Sequence, residues 1–220
     1  MKPWETLATA ITPDGTRFEL QRHDRDFLIH ADGYELMTSG AHSSEDAMMA
    51  LACPKPPADA CVLIGGLGMG YTLAATLALM PPEGTVVVGE IVPEVIEWNR
   101  GPLGPLAGHP LDDPRTELVA GDEADVIRGS ESRFNAVLLD VDNSVDSFSQ
   151  KPNFWLYTPD GLAAIRRSLR PGGGLAIWSV GTDKTGERYL RKAGFEASTH
   201  SIRGRNKRGG HYSVILGRVR

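Results

Sequence analysis

The sequence predicts an α/β fold: a parallel sheet with helices on both faces, preceded by a small antiparallel meander and ended by an antiparallel hairpin. Three observations predict it. Short runs rich in Val, Leu and Ile recur through the middle of the chain without polar alternation, as strands buried on both faces require. Helical patterns separate these runs, and repeated strand–helix units imply parallel strands. Beyond residue 181 two further runs flank a basic glycine-rich loop with no helix between them, so one strand there must reverse.

Each element has its own signal. In residues 1–53, runs at 16–21, 27–30 and 34–38 are broken by the turn formers Asp14-Gly15 and Asp32-Gly33, which predicts the meander. Ser43-Ser44-Glu45-Asp46 then opens an apolar helical stretch at 47–52 with a capping pattern, and Pro54-Lys55-Pro56-Pro57 closes it. The second zone carries strands at 61–64, 85–89, 116–120, 136–139 and 175–179, with helices at 71–80, 93–100, 122–127 and 159–169. Thr158 before Pro159 is an N-cap followed by a first-turn proline, and Gly172-Gly173-Gly174 after Pro171 is expected to end that helix. A helix at 185–193 stops at Gly194, and strands at 195–202 and 211–216 form the hairpin. The expected division is a meander and helix at 1–53 and a Rossmann-like domain at 54–220.

Composition narrows the function classes. The 220 residues hold 23 basic and 28 acidic side chains, a net charge of −5, so the chain as a whole is no polyanion binder. Cys53 and Cys61 form no CxxC motif and no zinc-spaced cluster, so neither a disulfide framework nor a metal is expected and a cytoplasmic setting fits. No apolar run approaches the roughly 20 residues of a membrane helix. Arg203, Arg205, Lys207, Arg208, Arg218 and Arg220 lack interleaved aromatics apart from Tyr212, so they read as a solvated hairpin and nucleic acid is not an expected partner. Trp98 and Trp178 read as core residues and His42 as a surface residue. Trp155 and Tyr157 suit either a pocket roof or a satellite hydrophobic cluster.

One motif carries chemistry. Val62-Leu63-Ile64 runs into Gly65-Gly66-Leu67-Gly68-Met69-Gly70, and a helical pattern follows. Glycines there let backbone approach a ligand, while the helix start presents unpaired N–H groups. Twenty residues after Gly70, Glu90 ends the second strand, where an acid can hold a ribose hydroxyl pair. A dinucleotide fingerprint would need glycine at position 71, where Tyr71 stands. The GxGxG spacing and the reversed hairpin together favour an S-adenosylmethionine-type site over NAD.

These residues, joined in order by Leu36-Met37-Thr38-Ser39, Val88-Gly89-Glu90-Ile91-Val92-Pro93-Glu94-Val95-Ile96, Leu111-Asp112-Asp113-Pro114-Arg115, Gly121-Asp122-Glu123 and the segment 134–143, resemble the spermidine synthase family, and especially its short bacterial members. The resemblance implies the class I S-adenosylmethionine-dependent methyltransferase fold, with seven strands in the main sheet. It implies that Gly65, Gly66, Gly68 and Gly70 line the amino-acid or aminopropyl side of the cofactor and that Glu90 holds the ribose. It also implies that Asp122 takes the adenine amino group beside Glu123, and that Asp140 faces the sulfonium. Asp122 reads equally as the N-cap of the next helix. Family members pair through N-terminal strands, so a homodimer is expected.

The chain departs from the family in the loop after the fourth strand, which in the family reads Asp-Ser-x-Asp-Pro with the second Asp as base. Here Asp140-Val141-Asp142-Asn143-Ser144 puts a neutral amide at that offset, and Asp46-Ala47-Met48 replaces the family's Tyr-His-Glu segment. The expected activity is therefore methyl transfer from S-adenosylmethionine to a small acceptor, with Asp142 as a candidate base or amine ligand. The alternatives are aminopropyl transfer from decarboxylated S-adenosylmethionine, releasing methylthioadenosine, with Asp140 or Asp142 as base, and a non-catalytic nucleoside-binding protein.

Overall fold

Residues 3–12, 15–40, 45–140, 152–180, 184–203 and 211–220 are described by the structure, a computed structural model. Four strands open the chain: β1 (Glu5–Ile11), β2 (Arg17–His23), β3 (Asp26–Ala31) and β4 (Tyr34–Thr38), paired antiparallel in sequence order. The sequence predicts three of them. β1 is the addition, because its Thr and Ala residues give no strong apolar alternation of their own and it is stabilised by pairing with β2.

Helix α1 (Glu45–Ala52) leads into the main sheet, in which β5 (Cys61–Gly65), β6 (Thr85–Glu90), β7 (Thr116–Ala120) and β8 (Phe134–Leu139) run parallel. Between them lie α2 (Tyr71–Leu79), α3 (Pro93–Arg100) and α4 (Glu123–Arg128). The chain continues through α5 (Pro159–Ser168), β9 (Leu169–Val180), α6 (Lys184–Lys192), β10 (Glu196–Arg203) and β11 (His211–Arg218). The seven strands are ordered β10-β11-β9-β8-β5-β6-β7, with β11 antiparallel to both neighbours. This is the mixed sheet that the sequence predicts.

Strand residues alternate between two buried clusters. Val62, Ile64, Val86, Val88, Ala136 and Leu138 face α1, α2 and α3 through Met48, Leu73, Val95 and Trp98. Leu63, Val87, Val137, Leu139 and Ile177 face the opposite way, toward Ile127, Leu162, Ile165 and Leu190 of α4, α5 and α6. Leu20, Phe27 and Ile29 of the small sheet join the first cluster. Trp98 is core as expected, whereas Trp178 is only half-buried and lies against Tyr212. Trp155 packs against the second cluster beneath the Arg128 guanidinium, 3.9 Å from its ring centre, which decides for the satellite cluster.

The glycine run does not act as a helix stop. Thr158 caps α5 through the Gly161 N–H at 3.1 Å, and the helix ends at Ser168. The register of β8 with β9 jumps from Phe134–Leu169 to Ala136–Gly174, so the run buckles an already extended strand. Gly174 has a packing reason as well, because a Cβ there would collide with the Ala52 carbonyl at the end of α1. Arg218 secures the same junction, donating to the Gly172 carbonyl and the Leu51 carbonyl, each at 3.1 Å.

Phe134 is fully buried under α4 and α5. Phe134→Ala is expected to cost about 3–5 kcal/mol of unfolding free energy, read as a lowered urea midpoint with an unchanged denaturant slope.

Candidate functional site

The carboxyl ends of β5, β6, β7 and β8 meet at one edge of the sheet, where the open crevice of a parallel α/β fold lies. β5 delivers Gly65 and the loop to Gly70. Gly66, Gly68 and Gly70 have φ of 88°, 52° and 82°, which side-chain-bearing residues rarely adopt. Gly70 occupies the N-cap of α2 in that left-handed conformation. Met37 of β4 lies against Gly68, and the Tyr71 hydroxyl donates to the Ser39 carbonyl at 3.1 Å, so the end of the small sheet covers the loop.

Glu90 ends β6 and is buried. Its Oε2 accepts the Leu67 N–H at 3.0 Å and its Oε1 accepts the Val92 N–H at 2.8 Å. Burial raises its pKa, and these backbone donors together with those of Gly68 and Ile91 oppose the rise. Asn99 on α3 reinforces the loop, donating to the Gly68 carbonyl at 2.8 Å.

Asp122 follows β7 and caps α4, its Oδ1 accepting the Ala124 N–H at 2.7 Å. The capping reading is thus observed, and the second carboxylate oxygen is left for other donors. Glu123 folds back over the sheet edge. A Cβ on Gly65 would stand 2.9 Å from Glu123 Cγ, and one on Gly89 would stand 2.9 Å from its Cβ. Its pKa is pushed up to about 7, first by burial and then by the charges of Asp122 and Glu90.

Asp140 follows β8, and its N–H donates to the Gly65 carbonyl at 3.0 Å, beside the glycine loop. Its Oδ2 accepts a hydrogen bond from Thr72 Oγ1 on α2. Burial first, and the Glu45 carboxylate second, raise its pKa to about 7, while the Thr72 bond opposes them. The structure therefore brings Gly65, Gly66, Gly68, Gly70, Glu90, Asp122, Glu123 and Asp140 to one edge. Asp142 and Asn143 lie outside the described residues, as does His42.

Sequence reading missed Thr72, Asn99 and Glu45. Asn99 had a signal, a polar side chain on the face of α3 that carries Val95 and Ile96 inward. Glu45 was absorbed into the capping pattern, and only the fold reveals that this buried acid stands near Asp140.

No family model matches the chain. A polyamine aminopropyltransferase of Saccharolobus islandicus is 31% identical over 140 residues, 64% of this chain and 44% of that protein. One of Nitrosomonas europaea is 35% identical over 115 residues, 52% of this chain and 34% of its own length. The chain thus spans less than half the length of these curated relatives. The crystal structure of spermidine synthase from Thermotoga maritima superposes with a TM-score of 0.76 at 21% identity, covering 97% of this chain and 72% of that one. A probable spermidine synthase from Corynebacterium glutamicum gives a TM-score of 0.66 at 15% identity, covering 99% and 81%. The chain thus resembles polyamine aminopropyltransferases over part of its sequence and spermidine synthases in fold.

The expectation of methyl transfer is overturned by these comparisons. Every relative named above is a polyamine aminopropyltransferase, and the structural neighbours are spermidine synthases. That expectation rested on the neutral Asn143 at the family's base offset and on Asp46-Ala47-Met48 in place of the Tyr-His-Glu segment. Asp140, one of the two bases named for the aminopropyl alternative, stands beside the glycine loop with its pKa raised to about 7.

The raised carboxyl values give a stability prediction. Asp140 and Glu123 bind protons more tightly folded than unfolded, so stability is greatest below their ordinary values of 3.8 and 4.5 and declines as pH rises to about 7. The Asp140→Asn/Glu123→Gln double variant is expected to melt progressively higher than the wild-type protein across that window, with a constant difference above it. Parallel melting curves for the two proteins from pH 4 to 8 would contradict this.

Proposed function

We propose that this chain transfers the aminopropyl group of decarboxylated S-adenosylmethionine to a polyamine nitrogen. Asp140 is the observation that carries the reading, and the relatives' names and fold support it. The donor's sulfonium makes the adjoining propyl carbon electrophilic. The glycine loop and Glu90 orient the nucleoside portion, and Asp122 offers its remaining oxygen to the base. Asp140, steadied by Thr72, takes a proton from the acceptor ammonium. The freed nitrogen pair forms the new N–C bond, the C–S pair returns to sulfur, and methylthioadenosine departs as a neutral thioether. A base near pKa 7 is matched to this work, since it is ionised in part at neutral pH and still holds a proton usefully.

The decisive assay follows methylthioadenosine release from decarboxylated S-adenosylmethionine with a panel of di- and triamines. Release is expected with at least one amine, and kcat should climb as pH rises through about 7. Asp140→Asn should lower kcat by roughly 10²–10⁴-fold. A folded protein that releases no methylthioadenosine with any amine would sink the proposal.

The homodimer belongs to the same reading. β1 and β4 form the edges of the small sheet, and Ile11 and Tyr34 on them are 71% and 80% exposed. Light scattering at micromolar concentration is expected to give twice the chain mass, and Tyr34→Asp to shift it toward the monomer; a wild-type mass of one chain would contradict the pairing.

A further inference from the structure

Glu123 is an acid at the sheet edge that the reading above leaves unused. Its side chain is 4% exposed, and its Oε1 has no hydrogen-bond partner. It lies over two adjacent strand ends, above Gly65 and Gly89, where its Cγ and Cβ fill the space that side chains would need. It therefore sits between the glycine loop and Asp122, the two groups proposed to bracket the nucleoside. Asp122 at the start of α4 and Glu90 at the end of β6 are the ionisable groups acting on it. The neighbours it meets on β5 and β6, Gly65 and Gly89, do not titrate.

An ionised carboxylate in this position would face two other acids with an oxygen left unsatisfied, a costly arrangement in a buried site. A neutral carboxyl avoids the repulsion and, protonated at the unpartnered Oε1, offers an O–H donor there. Purine ring nitrogens and ribose oxygens are acceptors of the matching kind. We infer that Glu123 holds the nucleoside as a hydrogen-bond donor, so that ligand and proton bind together. This rests on the nucleoside site proposed above and adds a regulation to it: affinity for the nucleoside falls as the solution becomes alkaline.

The test is calorimetric titration of the wild-type protein, Glu123→Gln and Glu123→Ala with 5′-methylthioadenosine between pH 5.5 and 8.5, with circular dichroism confirming the fold of each. Wild-type affinity is expected to be constant at low pH and to fall by up to tenfold per pH unit above about 7. Repeating the titration at pH 8.5 in buffers of different ionisation enthalpy should show uptake of about one proton per ligand. Glu123→Gln keeps a donor that cannot titrate and should retain the low-pH affinity without the decline. Glu123→Ala should bind roughly tenfold more weakly at low pH, and also without the decline. Should the alanine variant not fold, the glutamine variant alone decides. The inference is overturned if the wild-type protein binds without pH dependence, or if Glu123→Gln declines as the wild-type protein does. No binding by the wild-type protein at any pH would instead remove the nucleoside site itself.

Discussion

Two hydrogen bonds accepted by one buried carboxylate organise the crevice. Glu90 grips the Leu67 amide in the glycine loop with one oxygen and the Val92 amide at the start of α3 with the other. The loop between β5 and α2 takes left-handed conformations at three glycines, and its Leu67 and Met69 side chains anchor it in the core. Glu90 thereby converts a permissive sequence into a fixed surface. Asn99 continues the tie from the far side, and Asp140 closes it by donating its own amide to Gly65.

The four acids of the edge divide by what surrounds them. Glu90 and Asp122 receive backbone amides, and such donors stabilise negative charge even where water is scarce. Glu123 and Asp140 receive far less, the first meeting two other acids and the second meeting Glu45 with one hydroxyl to offset it. The fold thus creates two carboxylates that accept backbone amides and two whose pKa is raised to about 7. Such an edge combines carboxylates that accept amide donors with carboxyls able to exchange a proton.

Much of this was legible in the residues. The bounds of β7 and α3 agree with the sequence reading residue for residue, because Pro93 starts one and compact apolar runs define the other. The reversed hairpin was legible because no helix could fit between its strands. β1 was not, since its pairing with β2 is what makes it a strand. The glycine run after Pro171 misled for a related reason: a glycine's local preference says nothing of the α1 backbone that approaches Gly174 from over 120 residues away. In the site, Glu90 and the glycines were legible because their spacing is local. The partnership of Glu45, Thr72 and Asp140 was invisible, because three separate elements converge to form it.

The strand order has a bearing on how the chain is made. β10 joins the sheet through β11, a strand synthesised after it, and β11 fills a slot between β10 and β9. On the ribosome, β10 must therefore wait unpaired with its partner still in the exit tunnel. Meanwhile α1, completed some 160 residues earlier, lacks the Arg218 guanidinium that later clasps its Leu51 carbonyl. α1 and β11 lock together in one late event, so a nascent chain stalled before residue 211 would carry a nearly finished crevice on an open sheet.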